Sequence, residues 1–297
     1  FMDSAYQLSE KAVLITPGRF LFNAGKTPRL WNEKMLEDEH LKVQSYFSKS
    51  SDAFPEVNLM GGITITLRDK KQSFEKIGVF SKFKEINSIL QNVIKVKDFE
   101  PIDSNIYTQN KFDLETLYKD YPTYKNIIGS DGREKRLTTS IFDQLPIFTE
   151  EPKSKNDISI FGLIKNNRTY RFIPAKYIED QKNTNKFKVL LPKSNGSGAL
   201  GEVVPTALIG EPIVGNIGTG YTQSFISIGA FSTIKEAESC LKYIKTKFVR
   251  SMLGVLKVTQ DNNKDVWKYV PLQDFSKNSK IDWSKSISEI DQQLYVK

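Results

Sequence analysis

Glycines at 196, 198 and 201 stand in the stretch LPKSNGSGALGE (191–202) with the G-x-G-x-x-G spacing of a dinucleotide-binding turn, after the apolar run KFKVLL. That spacing does chemistry only where the glycines open a helix whose amides hold a pyrophosphate, with an acidic residue about 20 positions on. Here the chain continues EVVPTALIGEPIVGNIGTGY, and Pro205, Pro212 and further glycines break any helical period. A cofactor turn is therefore not expected, and the stretch needs another use. Lys193 offers charge, Ser194, Asn195 and Ser197 offer hydrogen bonds, and Gly196 and Gly198 let the main chain approach a partner closely. Such a loop suits contact with a nucleic-acid backbone or with base edges; an ordinary surface loop is the plainer alternative. The same mixture of basic, amide and aromatic residues recurs at 166–172 and 186–188, which marks Arg168, Arg171, Lys186 and Lys188 as candidates for phosphate contacts.

Other chemistry is limited by what the chain lacks. With one cysteine, Cys240, and one histidine, His40, there is no disulfide framework, no zinc cluster and no histidine-activated nucleophile drawn from anything but His40. His40 sits in the polar stretch LEDEHLKV and reads as a solvated or satisfied side chain. Cys240 falls with Ala237, Leu241, Ile244 and Phe248 at helical spacing and reads as core. Asp261, Asn263 and Asp265 begin like a calcium loop, but Val266 stands where glycine is needed and Leu272 where a glutamate is needed. Glu151 and Lys153 have nuclease-like spacing with Pro152 between them, which would interrupt strand pairing. No phosphate-binding P-loop pattern occurs, and no paired acidic motif supports a carboxylate enzyme.

The elements that must position these residues read as an α/β, more broadly mixed α+β, chain. At 297 residues it is long enough for one large domain or two ordinary ones, and 39% hydrophobic content with 11% aromatic fits a folded protein. Lysine and arginine number 43 against 35 acidic residues, a net charge of +8 that favours phosphate-bearing partners. No run approaches a membrane span and the first residues carry no export signal, so the cytoplasm is the expected location and no membrane partner is expected.

The opening FMDSAYQLSEK reads as the last turns of a helix entering the strand AVLIT (12–16), as in a piece of something longer. Thr27 with Pro28 predicts a capped helix over 27–39, followed by strands at 41–47 and 63–69. Residues 73–97 predict one or two helices, and 98–155 predict loops with short strands or helices. DISIFGLI and RTYRFIP predict a hairpin around Lys165, Asn166 and Asn167; further strands are expected at 186–192 and 221–231. Thr233 with Glu236 predicts the capping box of one long helix through residue 253, and Ser286 with Glu289 that of a last helix.

The runs KAVLITPGRFLFNAG, WNEKML, DAFPEV, MGGITI, PKSNGSGALGE, LIGEP, YTQSFISIGAF, LKYIKTKF, LKVTQDN, WKYVPLQDF and IDWSKSISEIDQQLY together resemble the C-terminal part of bacterial restriction–modification enzymes with a γ-type N6-adenine DNA methyltransferase, of type II, IIG or a type I-like kind. The resemblance covers nearly the whole chain. It implies that residues 1–75 are the C-terminal remnant of the methyltransferase catalytic domain, the edge of a Rossmann-like sheet, with Pro17 to Phe20 near the cofactor and adenine. It implies that residues 76–297 are an α+β target-recognition domain for double-stranded DNA, with 191–202 as a DNA-facing loop. S-adenosylmethionine is implied for the parent enzyme; the glycine-rich motif that binds it and the N-P-P-Y motif for the flipped adenine are both missing from 1–297, so no cofactor is expected in this chain. The expected activity is thus DNA binding without methylation, in contact with further subunits or domains of a restriction system. A rival from another class is a docking module whose face at 247–250 contacts an endonuclease or helicase partner.

Overall fold

The structure, a computed structural model, describes residues 1–22, 27–56, 59, 62–81, 84–96, 98–128, 135–195, 207–257 and 260–295. It is mixed α/β with several antiparallel sheets. Contacts divide the chain into two compact units, Phe1–Lys95 and Val96–Lys297.

The first unit runs α1 (Met2–Leu8), β1 (Lys11–Pro17), a 3-10 turn (Gly18–Phe22), α2 (Arg29–Leu36), β2 (Leu41–Phe47), β3 (Ile63–Asp69) and α3 (Lys84–Ile94). β3 lies between β1 and β2 and is antiparallel to both, with Thr66 opposite Leu14 on one side and Val43 on the other. Met2 and Tyr6 of α1 pack with Phe20, Leu21, Met35, Leu36 and Leu41, so the helices cover the apolar side that the strands present to them. Three boundaries depart from the sequence expectation. Pro28, not Thr27, precedes the first turn of α2 and no side chain caps it. The helix stops at Leu36 rather than 39 because the Asp38 carboxylate takes the His40 N–H at 2.9 Å and Arg68 Nε at 2.7 Å, a local alternative to helical bonding. Within 73–97 only Lys84–Ile94 is helical. The backbone before it is drawn onto the end of α2 instead, with Phe74 N–H on Glu39 O at 2.5 Å and Gly78 N–H on Leu36 O at 2.8 Å. Gly78 holds φ +57 there, a conformation that glycine alone adopts without strain.

The second unit opens with short pieces, β4 (Ile106–Tyr107), α4 (Leu114–Asp120), α5 (Lys125–Ile128) and α6 (Ile141–Gln144). Then come β5 (Asp157–Ile164), β6 (Asn167–Pro174), β7 (Phe187–Pro192), β8 (Ile213–Gly215), β9 (Thr219–Tyr221), β10 (Phe225–Phe231), α7 (Ile234–Ile244), α8 (Lys247–Leu256) and α9 (Ile287–Tyr295). One sheet has the order β4-β10-β7-β8 and the other β6-β5-β9, where β9 runs parallel to β5 and the remaining pairs are antiparallel. Side chains of both sheets meet in the cluster of Phe161, Leu190, Tyr221 and Phe225, so the two sheets share core.

The hairpin forms as expected with a tighter turn. Only Lys165 (φ 47) and Asn166 (φ 64) form the reversal, and Asn167 already pairs with Ile164. Both predicted capping boxes are present, Thr233 with Glu236 and Ser286 with Glu289. The strand expected over 221–231 is instead two: β9 belongs to one sheet and β10 to the other. Tyr221 exchanges two bonds with Asn110, and Thr222 N–H is taken by Phe161 O at 2.9 Å, so the chain is committed to β5 before it crosses over. The single long helix is likewise two. Thr246 Oγ1 donates to Tyr243 O at 2.7 Å and accepts from Val249 N–H at 3.2 Å, closing α7 and starting α8. Cys240 is buried as core, and burial pushes its thiol pKa far above the usual range.

Candidate functional site

β7 carries the chain out of its sheet to Pro192, and the next three residues form a second, smaller ladder. Lys193 N–H donates to Ser224 O at 2.9 Å, and Lys193 O accepts from Asn262 N–H at 2.7 Å. Ser194 bridges Asp261 in antiparallel sense, and Asn195 N–H donates to Gln260 O at 3.0 Å. Asn262, 0% exposed, adds its side-chain amide to Pro192 O at 3.1 Å. The side-chain amide of Asn195 donates to Ala207 O, and buried Lys257 Nζ donates to Leu208 O. Thus both chain ends that flank 196–206 are tied to one framework. Gly210 is required where they meet, since a Cβ there would lie 2.7 Å from Pro192 Cγ.

The expected site residues fall into distinct groups on this framework. Ser194 is exposed and Lys193 and Asn195 are half-buried. Gly196, Ser197 and Gly198 lie outside the described residues. Arg168 reaches the same neighbourhood: its Nη2 donates to Glu211 O at 2.6 Å, its guanidinium sits 5.9 Å from the Phe225 ring centre, and the Glu211 carboxylate pairs with Lys245 at 2.8 Å. Arg171, three positions on along β6, points to the other face of the sheet and pairs with Glu150 at 2.9 Å. Lys186 lies at the far end of β7, roughly 20 Å from Lys193 at strand rise, with Nζ 3.4 Å from Ser232 Oγ.

Lys188 is a correction to the expectation of a phosphate contact. Its side chain is 0% exposed, and Nζ donates to three carbonyls, Thr184 O at 3.1 Å, Asn216 O at 3.1 Å and Thr219 O at 2.7 Å. Burial lowers its pKa to about 7, while the three acceptors match the three N–H groups of an ammonium and oppose that shift. This lysine joins the return of β7 to the turn before β9 and offers nothing to a ligand.

Sequence reasoning treated Asp261 and Asn263 only as a failed calcium loop and missed that 260–262 is the pairing partner of 193–195. The signal available was the amide-rich run QDNN, whose side chains favour local capping: Asn263 Oδ1 accepts from Asp265 N–H at 3.1 Å. Among the described residues, no group of three or more His, Cys, Asp or Glu side chains is arranged to hold a metal ion. His40 Nδ1 lies 3.0 Å from Gln72 O, a backbone contact rather than a catalytic one. A surface recess of about 1110 Å³ lies elsewhere, between α7 and 275–284, with Phe275 and Trp283 in its floor. Of its three carboxylates, Glu236 caps α7 and Asp282 accepts from Ser284 N–H and Oγ–H, which leaves Glu238.

In the first unit Gly18 N–H is taken by Gly62 O at 3.0 Å, and Gly18 and Phe20 are buried, Phe20 edge-on to Trp31. Gly18 and Phe20 are thus taken up by the core of the unit, while Pro17 is exposed and Arg19 half-buried, and no step is assigned to S-adenosylmethionine here.

Compared with known proteins, residues 1–54 match the family model described as Eco57I restriction-modification methylase. No curated protein matches the chain. The match spans α1, β1, the 3-10 turn, α2 and β2, and it associates this part of the chain with restriction–modification methylases. Among the described residues, no helix is long and apolar enough to cross a membrane.

Proposed function

We propose that the chain binds double-stranded DNA in a sequence-specific way, as the target-recognition part of a restriction–modification enzyme that methylates adenine at N6. The observation that carries this reading is the ladder of 193–195 on 260–262. It ties 193–195 to the stretch that carries buried Asn262, Asn195 in turn holds Ala207 on the other side of 196–206, and exposed Ser194 and half-buried Lys193 stand on this ladder, with Arg168 bonded nearby to Glu211 O. Binding loops are commonly carried this way, by a rigid scaffold that fixes their ends. Support for the restriction–modification setting comes from the family match at 1–54, and the net charge of +8 suits a polyanionic partner. In this reading residues 1–75 are the remnant of the methyltransferase, the edge of a Rossmann-like sheet, and residues 76–297 carry target recognition. S-adenosylmethionine belongs to the parent enzyme rather than to these residues.

Ser194, Lys193 and the flanking 196–198 supply base or backbone contacts, and Arg168 and Lys186 supply phosphate contacts. The test is fluorescence anisotropy of the chain with duplex DNA across salt concentrations. Binding that falls steeply with salt, and whose salt slope drops by about one in Lys193→Ala, supports the reading. Absence of binding at low salt overturns it.

A further inference from the structure

The ladder does not stand alone at the surface. Between β9 and β10 the chain makes a short excursion over 222–224, turned by Phe225 N–H on Thr222 O at 3.0 Å. Gln223 N–H donates to Leu137 O at 2.7 Å, which brings 137–139 alongside, and the hydroxyls of Thr139 and Ser224 lie 2.9 Å apart. Ser224 O is the acceptor for Lys193 N–H at 2.9 Å, and Gln260 O the acceptor for Asn195 N–H at 3.0 Å. Four separate stretches of chain are thereby laced together by backbone bonds. Their edges carry the side chains of Thr139, Gln223, Ser224, Ser194 and Gln260, of which Thr139, Ser194 and Gln260 are exposed and Gln223 and Ser224 half-buried.

We propose that Thr139, Gln223, Ser224 and Gln260 are a second set of specificity-determining residues, reading base edges beside Ser194 on the same DNA-facing surface. This rests on the DNA-binding reading above. Serine, threonine and glutamine are among the neutral side chains that can both donate to and accept from base edges, and glutamine can pair with adenine in bidentate fashion. Their setting is rigid in the way that discrimination requires. The Ser224 hydroxyl is steered by Thr139, and its backbone is fixed to Lys193. Gln223 is fixed to Leu137, and Gln260 is carried on the strand edge that buried Asn262 anchors. A straight strand over 221–231 would have pointed Gln223 and Ser224 to opposite faces of one sheet; in the excursion both are half-buried beside exposed Thr139 and the 193–195 ladder.

The test is selection of duplexes from a randomised library by the full 297-residue chain, wild type against Ser224→Ala, Gln223→Ala, Gln260→Ala and Thr139→Ala, with thermal unfolding checked for each. Gln260→Met, neutral and of similar size, serves as the control should Gln260→Ala unfold. The expected result is that wild type enriches a motif and that the variants lose about 5- to 100-fold of the preference at one or two positions of it. Their affinity for unselected DNA stays within roughly threefold of wild type, since no phosphate contact is removed. Unchanged position preferences in every folded variant overturn the second set while leaving DNA binding by the chain intact. Failure of the wild-type chain to bind duplex DNA overturns both.

Discussion

Asn262 and Pro192 are joined by the side-chain amide of the first on the carbonyl of the second at 3.1 Å, and the Asn262 backbone N–H takes the next carbonyl, Lys193 O, at 2.7 Å. One buried residue therefore holds two consecutive carbonyls at the point where β7 leaves its sheet. Replacement by alanine strands the Pro192 carbonyl, and the expected cost is about 1–3 kcal/mol of stability, the penalty for an unsatisfied buried group. Urea unfolding of Asn262→Ala measures it. A loss well below that range would show that the ladder is held by its backbone bonds alone.

Arg168 and Arg171 lie on the same strand and face opposite ways, one beside the Lys193 ladder and one on Glu150. Arg168→Ala is expected to weaken duplex DNA binding and lower the salt slope by about one, and Arg171→Ala to leave both near wild type. Equal losses in the two variants would mean that the DNA-binding surface is not the one described.

Lys188 makes stability depend on pH in a defined direction. Its folded pKa, about 7, lies below the ordinary lysine value of 10.5. Below pH 7 both folded and unfolded chains carry the proton, and the full cost of burying the charge is present. Between pH 7 and 10.5 the unfolded chain binds the proton more than the folded one, so the cost is relieved and stability rises with pH. The difference in unfolding free energy between wild type and Lys188→Met should therefore grow in favour of wild type by about 1–2 kcal/mol from pH 7 to 8.5. Chemical denaturation at the two pH values reads it. A flat difference would mean that the three carbonyls keep the ammonium protonated throughout.

Thr246 separates α7 from α8 with a hydroxyl that serves both, donating to Tyr243 O and accepting from Val249 N–H. Thr246→Ala is expected to cost about 1–2 kcal/mol, the upper range for a lost N-cap, because the position is also buried. Thr246→Ser, which keeps both bonds, should recover most of it by the same unfolding measurement.

Cys240 is 0% exposed, and its thiol is held protonated by burial. Alkylation should require opening of the second unit, so at a fixed pH its rate in native buffer should rise in step with the opened population as denaturant is added. Fast labelling at neutral pH with no accompanying loss of structure would contradict the buried placement.

How far the sequence could be read follows from the range of each signal. The hairpin at 165–166 and the capping boxes at Thr233 and Ser286 were legible because turn and cap chemistry acts over two or three residues. The burial of Cys240 was legible because helical period places it with Ala237 and Leu241. Lys188 was misread because a lysine interleaved with an aromatic at 186–188 suggested a contact surface, whereas four consecutive residues of β7 are buried. The division of 221–231 was invisible because Asn110, which takes the Tyr221 N–H, stands 111 positions away.

Read alone, these 297 residues with one histidine and one cysteine offered no disulfide framework and no Cys–His zinc cluster, and their charge and polar glycine stretch led to the expectation of a polyanionic partner. The sequence also determined the local elements, since propensity and capping act between near neighbours. Which polar residues share a surface became visible in the fold. Backbone bonds between segments far apart in the chain bring Thr139, Lys193, Ser224 and Gln260 together and bury Lys188, and no local pattern records which distant carbonyl an N–H will find.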